Sequence, residues 1–433
     1  MNSDPEDRMS QTSGPEQPGE DADALLARSS VHRGGRRRGK GRKRHVVAQA
    51  IVATAVVLGM VTGLSVVYFY RHLNDNLTVV DITQQLDEDQ RPEKQRSDLP
   101  EEPLNILVMG SDDRDGEGNN IDGLTGEGQR SDTTILMHLS ADRSNAYGVS
   151  IPRDTLVDRP DCIDEDGETI PGGTQVMWNE AFALGGPACT ITQTEELTGI
   201  RIDHFIVVDF SGFRDMVDAI DGVEVCIPED IDDPEHGINI EAGTREIKGF
   251  EALNYVRARY TLGDGSDIGR VKRQQAFIAA MANKVVSNGV LARLDRLVPF
   301  LDAATKSLVV DEEMGNVFKI ARVGLGFRSI GLDDIKFITV PWQYSVEQPG
   351  RVELLPESEA LWQRMIDDEP LSRRLSNEVI TAGDSPSGGA STSPEDPSAS
   401  PSDDPTASPS ENPTDDGESE VDAAAREQAG LCV

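Results

Sequence analysis

Residues 104–110 read LNILVMG, and this apolar stretch decides the fold class. It is short, carries no charged side chain and ends at Gly110, which is typical of a buried strand. Segments of the same character follow at 133–139, 146–151 and 204–210. The chain therefore contains several strands that can pair into one sheet.

Segments with helical spacing lie between and after these strands. Residues 211–220 place apolar side chains at helical intervals, and Ser211 is the candidate N-cap. Two further helices are predicted at 273–286 and 291–308, and two further strands at 223–227 and 336–340. Because strands and helices alternate, the sequence predicts an α/β layered fold with a mixed central sheet covered by helices.

Composition divides the 433 residues into five parts. Both ends are rich in Ser, Pro, Gly and acidic residues, and such segments cannot bury enough apolar surface to fold. Residues 46–70 carry no charge and are long enough to cross a hydrocarbon core of about 30 Å. We therefore predict a disordered cytoplasmic arm at 1–45, a transmembrane helix at 46–70, a stalk at 71–100, an extracytoplasmic domain at 101–380 and a disordered tail at 381–433.

Basic residues before the predicted span indicate its orientation. Eight Lys and Arg residues lie between Arg33 and Arg44, and the positive-inside rule keeps such a cluster in the cytoplasm. The alternatives are a nucleic-acid patch and a cleaved signal peptide, but the span ends in Tyr68-Phe69-Tyr70, which resembles an aromatic interface belt. We expect a single-pass membrane protein whose domain lies outside the cell, away from nucleic acid.

The four cysteines fit an oxidising compartment. Cys162 and Cys189 flank a Gly/Pro-rich region and are the pair that we expect to form a disulfide. Cys226 and Cys432 either pair or stay free. Neither Cys-x-x-Cys spacing nor a neighbouring His cluster supports a zinc site.

Arginines are concentrated in one region of an otherwise acidic chain. The formal net charge is −36, yet four Arg and one Lys fall between Arg257 and Arg273. Arg presents a rigid charged fork that matches phosphate oxygens. This pattern favours a phosphate-bearing ligand, and the alternative is a solvated basic face.

Further charged side chains follow the predicted strands. Asp112 comes after the first strand and Asp132 just before the second, while Arg153 follows the third. Two carboxylates from such loops suit Mg²⁺ and the phosphates it binds; alternatively the two Asp residues have no shared role. The sequence contains no Gly-x-Ser-x-Gly elbow, Walker A loop or zinc-protease helix. Arg and Asp without a poised nucleophile favour phosphoryl transfer.

Taken in order, these segments resemble the LytR–CpsA–Psr family of cell-wall glycopolymer ligases, over about residues 101–284. The segments that carry the resemblance are Gly110-Ser111-Asp112 with Arg114, Arg130-Ser131-Asp132-Thr133, Ile151-Pro152-Arg153-Asp154, Asn179-Glu180-Ala181-Phe182, Gly222-Val223, Gly249 with Ala252, Leu253, Tyr255, Arg257 and Arg259, and Asp267 with Arg270, Arg273 and Gln274.

The resemblance implies an α/β/α sandwich with a hydrophobic pocket for a polyprenyl chain. It also implies a Mg²⁺-dependent transferase that moves a glycopolymer from a polyprenyl pyrophosphate carrier to peptidoglycan through a phosphodiester. By motif, Asp112 and Asp132 would bind Mg²⁺. The pyrophosphate would be held by Arg130, Arg153, Arg257, Arg259, Arg270 and Gln274; the catalytic set would be Arg130, Arg153, Arg257, Arg259 and Asp132. Asp154 would orient Arg153, and Asp267 would organise the loop before Arg270.

The chain departs from the family pattern in two places. Met177 stands where the family often has Lys, and an acidic Gly-rich insertion occupies residues 115–128. Alternative functions are a non-catalytic polyprenyl-phosphate binder acting as sensor or scaffold, a regulator, and a ligase that attaches glycan to a wall protein.

Overall fold

The computed structural model describes residues 41–432 except 96–98, 112–130, 235–236, 259–265, 288–289, 291–292, 373–374, 376–378, 385–425 and 428–430. Its helices are α1 Gly41–Asn76, α2 Glu180–Thr198, α3 Phe210–Ala219, α4 Gly249–Arg257, α5 Asp267–Ser287, α6 Leu294–Ser307, α7 Val317–Ser329 and α8 Glu357–Ile366. Its strands are β1 Thr78–Val80, β2 Leu104–Ser111, β3 Ser131–Leu139, β4 Ala146–Ile151, β5 Leu156–Arg159, β6 Cys162–Ile163, β7 Thr169–Ile170, β8 Gly173–Met177, β9 His204–Asp209, β10 Val223–Ile227, β11 Ile231–Asp233, β12 Ile238–Ile240, β13 Gly243–Ile247, β14 Leu308–Asp311, β15 Ile335–Thr339, β16 Trp342–Tyr344, β17 Val352–Leu354 and β18 Ile380–Thr381.

A mixed sheet of eight strands organises the domain. The strand order is β1-β14-β9-β2-β3-β4-β15-β18. Strand β2 runs parallel to β9 and antiparallel to β3, and β4 runs parallel to β15. The predicted mixed central sheet is confirmed.

The two faces of this sheet are covered to different degrees. On the first face, Leu107, Met109 and Leu136 have no exposed surface, because α2 and α8 pack against them. On the second face lie α5, α6 and α7. There four apolar side chains of the central strands stay half-buried, although Ile106 and Ile135 on the same face are buried; the four are Val108, Met137, Ile206 and Val208. We call these four residues the open face. Helices on both sides make the domain an α/β/α sandwich, as predicted.

The start of two helices differs from the prediction. Asp209, not Ser211, caps α3, because its Oδ1 accepts a hydrogen bond of 2.6 Å from the Gly212 amide. Helix α5 begins at Asp267, six residues before the predicted 273. The Ser266 hydroxyl accepts a hydrogen bond of 3.0 Å from the Gly269 amide, so a Ser cap starts α5 within the Arg-rich motif.

The folded domain begins before residue 101. Strand β1 pairs in parallel with β14 at the edge of the central sheet, and Ile82 is buried in the core. The predicted stalk at 71–100 is therefore wrong for these residues. Three strand residues and one buried Ile are too weak an apolar signal to stand out in a polar segment.

Both ends of the predicted tail also belong to the domain. Strand β18 pairs with β15, and Leu431 is buried near Ile380. Cys432 forms a disulfide with Cys226 of β10. Cys162 and Cys189, the pair expected from the sequence, form the other disulfide. Both disulfides therefore join residues of the same domain.

Among the described residues, one helix is long and apolar enough to cross a membrane. This helix is α1, whose qualifying part runs from His45 to Asn76 and includes the predicted span at 46–70.

Candidate functional site

Charged side chains from three elements meet at one edge of the central sheet. Asp132 is the second residue of β3, and Arg153 follows the end of β4. Because β3 and β4 are antiparallel, with Thr134 opposite Ile151, these two positions share an edge. Asp267 and Arg270 reach the same edge from the first turn of α5. We call Asp132, Arg153, Asp267 and Arg270 the Arg–Asp network.

The network is held by short ionic contacts. Arg153 Nη1 lies 2.6 Å from Asp132 Oδ1, and Arg153 Nε lies 3.2 Å from Asp267 Oδ1. Arg270 Nη2 lies 2.6 Å from the same Asp267 oxygen. The Arg270 side chain is only 2% exposed, so its charge is held at a fixed place by the protein.

Arg153 keeps its charge despite partial burial. Burial alone lowers the pKa of Arg153, but the carboxylates of Asp132 and Asp267 outweigh it, and the pKa is raised above its ordinary value. Asp154 Oδ2 lies 3.6 Å from Arg153 Nε, and Asp154 Oδ1 lies 2.5 Å from Arg351 Nη1. Asp154 therefore links Arg153 to Arg351 and can orient it.

Arg257 stands at the last turn of α4, and its guanidinium lies over the Phe210 ring at 4.8 Å from the ring centre. Gln274 of α5 accepts a hydrogen bond of 3.1 Å from the Thr133 hydroxyl and donates one of 3.2 Å to the Val256 carbonyl. Gln274 therefore ties α5 to β3 and α4, beside the network.

The Arg-rich motif divides into side chains with different roles. Arg273 has no exposed surface and donates a hydrogen bond to the Ala258 carbonyl just after α4. This hydrogen bond ties α5 to the end of α4. The predicted site residues Asp112, Arg130 and Arg259, and the insertion at 115–128, lie outside the described residues; their roles stay predictions.

Asp132 meets some of the requirements for binding a hard cation such as Mg²⁺. Its carboxylate is about one-fifth exposed, and Mg²⁺ binds carboxylate oxygens while it keeps several waters. Oδ1 of Asp132 is already close to Arg153, so a cation would have to share this carboxylate with the guanidinium. Within the described ranges, no cluster of three or more His, Cys, Asp or Glu side chains forms a metal site.

Helix α5 also connects the network to the open face. Its first two turns carry Asp267, Arg270 and Gln274. Further along, Ala276, Ile278 and Ala282 pack against the buried cluster of β3, β4 and β15, and Met137 packs against the same cluster. One helix thus places cationic groups at the edge of the sheet and apolar groups along its less covered face.

Sequence reasoning missed two residues next to the network. Phe210 supports Arg257 from the start of α3, and Arg351 pairs with Asp154 from just before β17. Arg351 is 197 residues from its partner, so no local pattern could have shown the pair. Phe210 was predicted as the end of a strand, where an aromatic residue carries no special signal.

Comparison with known proteins shows which family this chain resembles. The model of the LytR_cpsA_psr family matches residues 68–362. The probable cell wall biosynthesis protein LcpB of Corynebacterium glutamicum is 36% identical over 230 residues, which is 52% of this chain and 52% of that protein. The polyisoprenyl-teichoic acid–peptidoglycan teichoic acid transferase TagV of Bacillus subtilis is 28% identical over 243 residues, or 55% of this chain and 57% of TagV.

A solved structure supports the fold. Protein gbs0355 from Streptococcus agalactiae matches with a TM-score of 0.50 at 24% identity, covering 63% of this chain and 90% of that one. The chain spans about half the length of the curated relatives it matches. The family model matches most of the chain, and the matched range includes the whole Arg–Asp network. The chain therefore belongs to the LytR–CpsA–Psr family.

Proposed function

We propose that this protein is a phosphotransferase that moves a glycopolymer from a polyprenyl pyrophosphate carrier to peptidoglycan. The observation that carries the proposal is the arrangement on α5, where Arg270 and Gln274 precede apolar residues that pack against the same cluster as Met137 of the open face. A lipid pyrophosphate has the same two parts in the same order, a charged head and an apolar tail. The printed name of TagV describes a transfer of this kind.

The charged head would lie at the Arg–Asp network. Arg153, Arg257 and Arg270 carry fixed positive charge at the sheet edge, and Arg forks bind phosphate oxygens in bidentate fashion. The carboxylates of Asp132 and Asp267 keep the guanidinium groups in place before the donor arrives. Such preorganised charge is the main source of catalysis in phosphoryl transfer.

The apolar tail would lie along the open face. Val108, Met137, Ile206 and Val208 are half-buried, while the corresponding residues of the first face have no exposed surface. Helix α6 contributes one buried residue, Thr305, so this helix packs loosely on the domain. A polyprenyl chain would complete the burial of these side chains.

The reaction would form one bond and break one. A sugar hydroxyl of peptidoglycan attacks the phosphorus nearest the glycan, and the bond from this phosphorus to the polyprenyl phosphate breaks. The hydroxyl proton passes to Asp112 or Asp132, the two carboxylates that the family motif assigns to the site, and Arg153 and Arg270 stabilise the phosphate charge. Mg²⁺ held by Asp112 and Asp132 would add positive charge at the phosphate oxygens.

The sequence and the disulfides support the proposed compartment. Helix α1 would anchor the chain in the cytoplasmic membrane, with the basic arm inside and the domain outside. Two disulfides, Cys162–Cys189 and Cys226–Cys432, favour the same oxidising side.

The test is transfer by the full chain in proteoliposomes that contain a polyprenyl-pyrophosphate-linked glycan and receive peptidoglycan. We expect Arg257→Ala to lower the rate by roughly 10²–10³. Arg214→Ala is the matched control, because Arg214 also lies over a Phe ring, at 5.1 Å from that of Phe250, but away from the network. Chelation of Mg²⁺ is expected to abolish transfer.

Two outcomes would favour the alternatives. Binding of the lipid-linked donor without transfer, with Mg²⁺ present, would indicate a sensor or scaffold. Transfer to a wall protein in place of peptidoglycan would change the acceptor but keep the reaction.

A further inference from the structure

Helix α7 begins against the end of the membrane helix. The Phe318 ring stacks on the Tyr70 ring with 5.0 Å between centres. Asn316 caps α7 by accepting a hydrogen bond of 2.8 Å from the Phe318 amide, and its Nδ2 donates one of 2.9 Å to the Tyr70 hydroxyl. The Val317 amide donates a hydrogen bond of 2.9 Å to Asn74 Oδ1. The first turn of α7 is therefore fixed at the level of Tyr70.

Tyr70 also indicates where the boundary of the bilayer lies along α1. Tyr68, Phe69 and Tyr70 end the uncharged part of α1, and aromatic side chains at the end of a span lie at the boundary of the bilayer. Because Phe318 contacts Tyr70, Phe318 lies at that boundary too.

The outer side of α7 has the character of an interfacial helix. Phe318 is 66% exposed and Leu325 is 59% exposed. Seven residues separate them, so they point the same way, about 10 Å apart along the axis. Lys319, Arg322 and Arg328 are also exposed, and α7 contains no acidic residue although the chain carries −36.

We infer that α7 lies on the bilayer surface, with Phe318 and Leu325 inserted beside the lipid headgroups and its basic residues against anionic headgroups. Amphipathic helices with basic and aromatic residues bind lipid surfaces in this way. The acidic remainder of the chain would be repelled by the same headgroups, so the basic surface of α7 selects lipid as the partner. The inference rests on the membrane anchor of the proposed function.

The test uses the full chain in nanodiscs whose lipids carry bromine either near the headgroup or deep in the acyl chain. Bromine quenches nearby tryptophan, and the parent chain with Trp178, Trp342 and Trp362 gives the baseline. We expect Phe318→Trp and Leu325→Trp to be quenched above this baseline, more by the shallow bromine than by the deep one. Val346→Trp is the control for an exposed apolar position, because Val346 is 93% exposed in the loop between β16 and β17; it is expected to stay at the baseline.

One further variant separates failure of the membrane anchor from failure of the inference about α7. Leu58→Trp reports the anchor, and the deep bromine is expected to quench it most. If Leu58→Trp is quenched but Phe318→Trp and Leu325→Trp are not, the inference about α7 is overturned while the anchor stands. If Leu58→Trp is not quenched, the anchor fails and the inference falls with it. Crosslinking of α7 between two copies without lipid quenching would assign the surface to a second copy and would also overturn it.

Charge reversal tests the headgroup contact. Arg322→Glu with Arg328→Glu, added to Phe318→Trp, is expected to reduce the shallow quenching in anionic nanodiscs but not in zwitterionic ones. Equal quenching in both lipids would overturn the electrostatic part of the inference.

Discussion

Asp267 joins the two arginines of the network, since one of its oxygens lies 3.2 Å from Arg153 Nε and 2.6 Å from Arg270 Nη2. A carboxylate between two guanidinium groups stabilises both charges and fixes their separation. The family motif indicated Asp267 as an organiser of the loop before Arg270. Its contact with Arg153 could not be predicted, because β4 and α5 meet only in the folded domain.

Replacing Asp267 with Asn is expected to lower the free energy of unfolding by about 2–4 kcal/mol, because Arg270 would lose a carboxylate in a buried site. Chemical denaturation in detergent measures this change. The control is Asp295→Asn, whose pair with Arg293 is exposed on both sides, and it is expected to have no measurable effect. Equal stability of the two variants would show that Arg270 does not depend on Asp267.

At the scale of single elements, strands with clear boundaries were predicted best. The observed bounds of β4 and β10 match the prediction, Ala146–Ile151 and Val223–Ile227. Helix α2 was not predicted, because Gly185, Gly186 and Pro187 interrupt its pattern, and Gly185 and Gly186 have non-helical backbone angles. The breaks that conceal a helix in the sequence are real distortions in the structure.

Strand β4 depends on close packing at Gly148, which pairs with Met137 on one side and Phe337 on the other. A Cβ at this position would lie 2.7 Å from Met137 Sδ and 2.9 Å from Phe337 Cδ1. We expect Gly148→Ala to destabilise the protein by about 1–3 kcal/mol. Thermal unfolding should then show a lower midpoint.

Gly324→Ala is the matched control, since a Cβ at Gly324 meets nothing within 4 Å. In the helical interior of α7, Ala is favoured over Gly by about 1 kcal/mol. A raised midpoint for Gly324→Ala with a lowered one for Gly148→Ala would support the packing argument; two equal shifts would contradict it.

At the scale of the whole molecule, the segment after α1 is built into the domain rather than held away from it. Arg91 donates three hydrogen bonds to Glu195 of α2, of 3.1, 2.9 and 2.7 Å, and one of 2.8 Å to the Ile202 carbonyl. Polar composition alone predicted a stalk here, because a buried ion pair has the same residue types as a solvated segment. Only the fold distinguishes them.

Arg91→Met is expected to cost about 3–5 kcal/mol in unfolding free energy, because Glu195 is 4% exposed and would be left without this guanidinium. Lys248→Met is the control, since its pair with Asp221 is exposed, and it should leave the denaturation midpoint unchanged. A similarly unchanged midpoint for Arg91→Met would restore the stalk interpretation.

The disulfide between Cys226 and Cys432 gives the chain a closed covalent ring that includes the acidic stretch after β18. A single cut by a protease anywhere between these two cysteines opens the ring but releases no fragment. The two pieces therefore separate on a denaturing gel only after reduction of this disulfide.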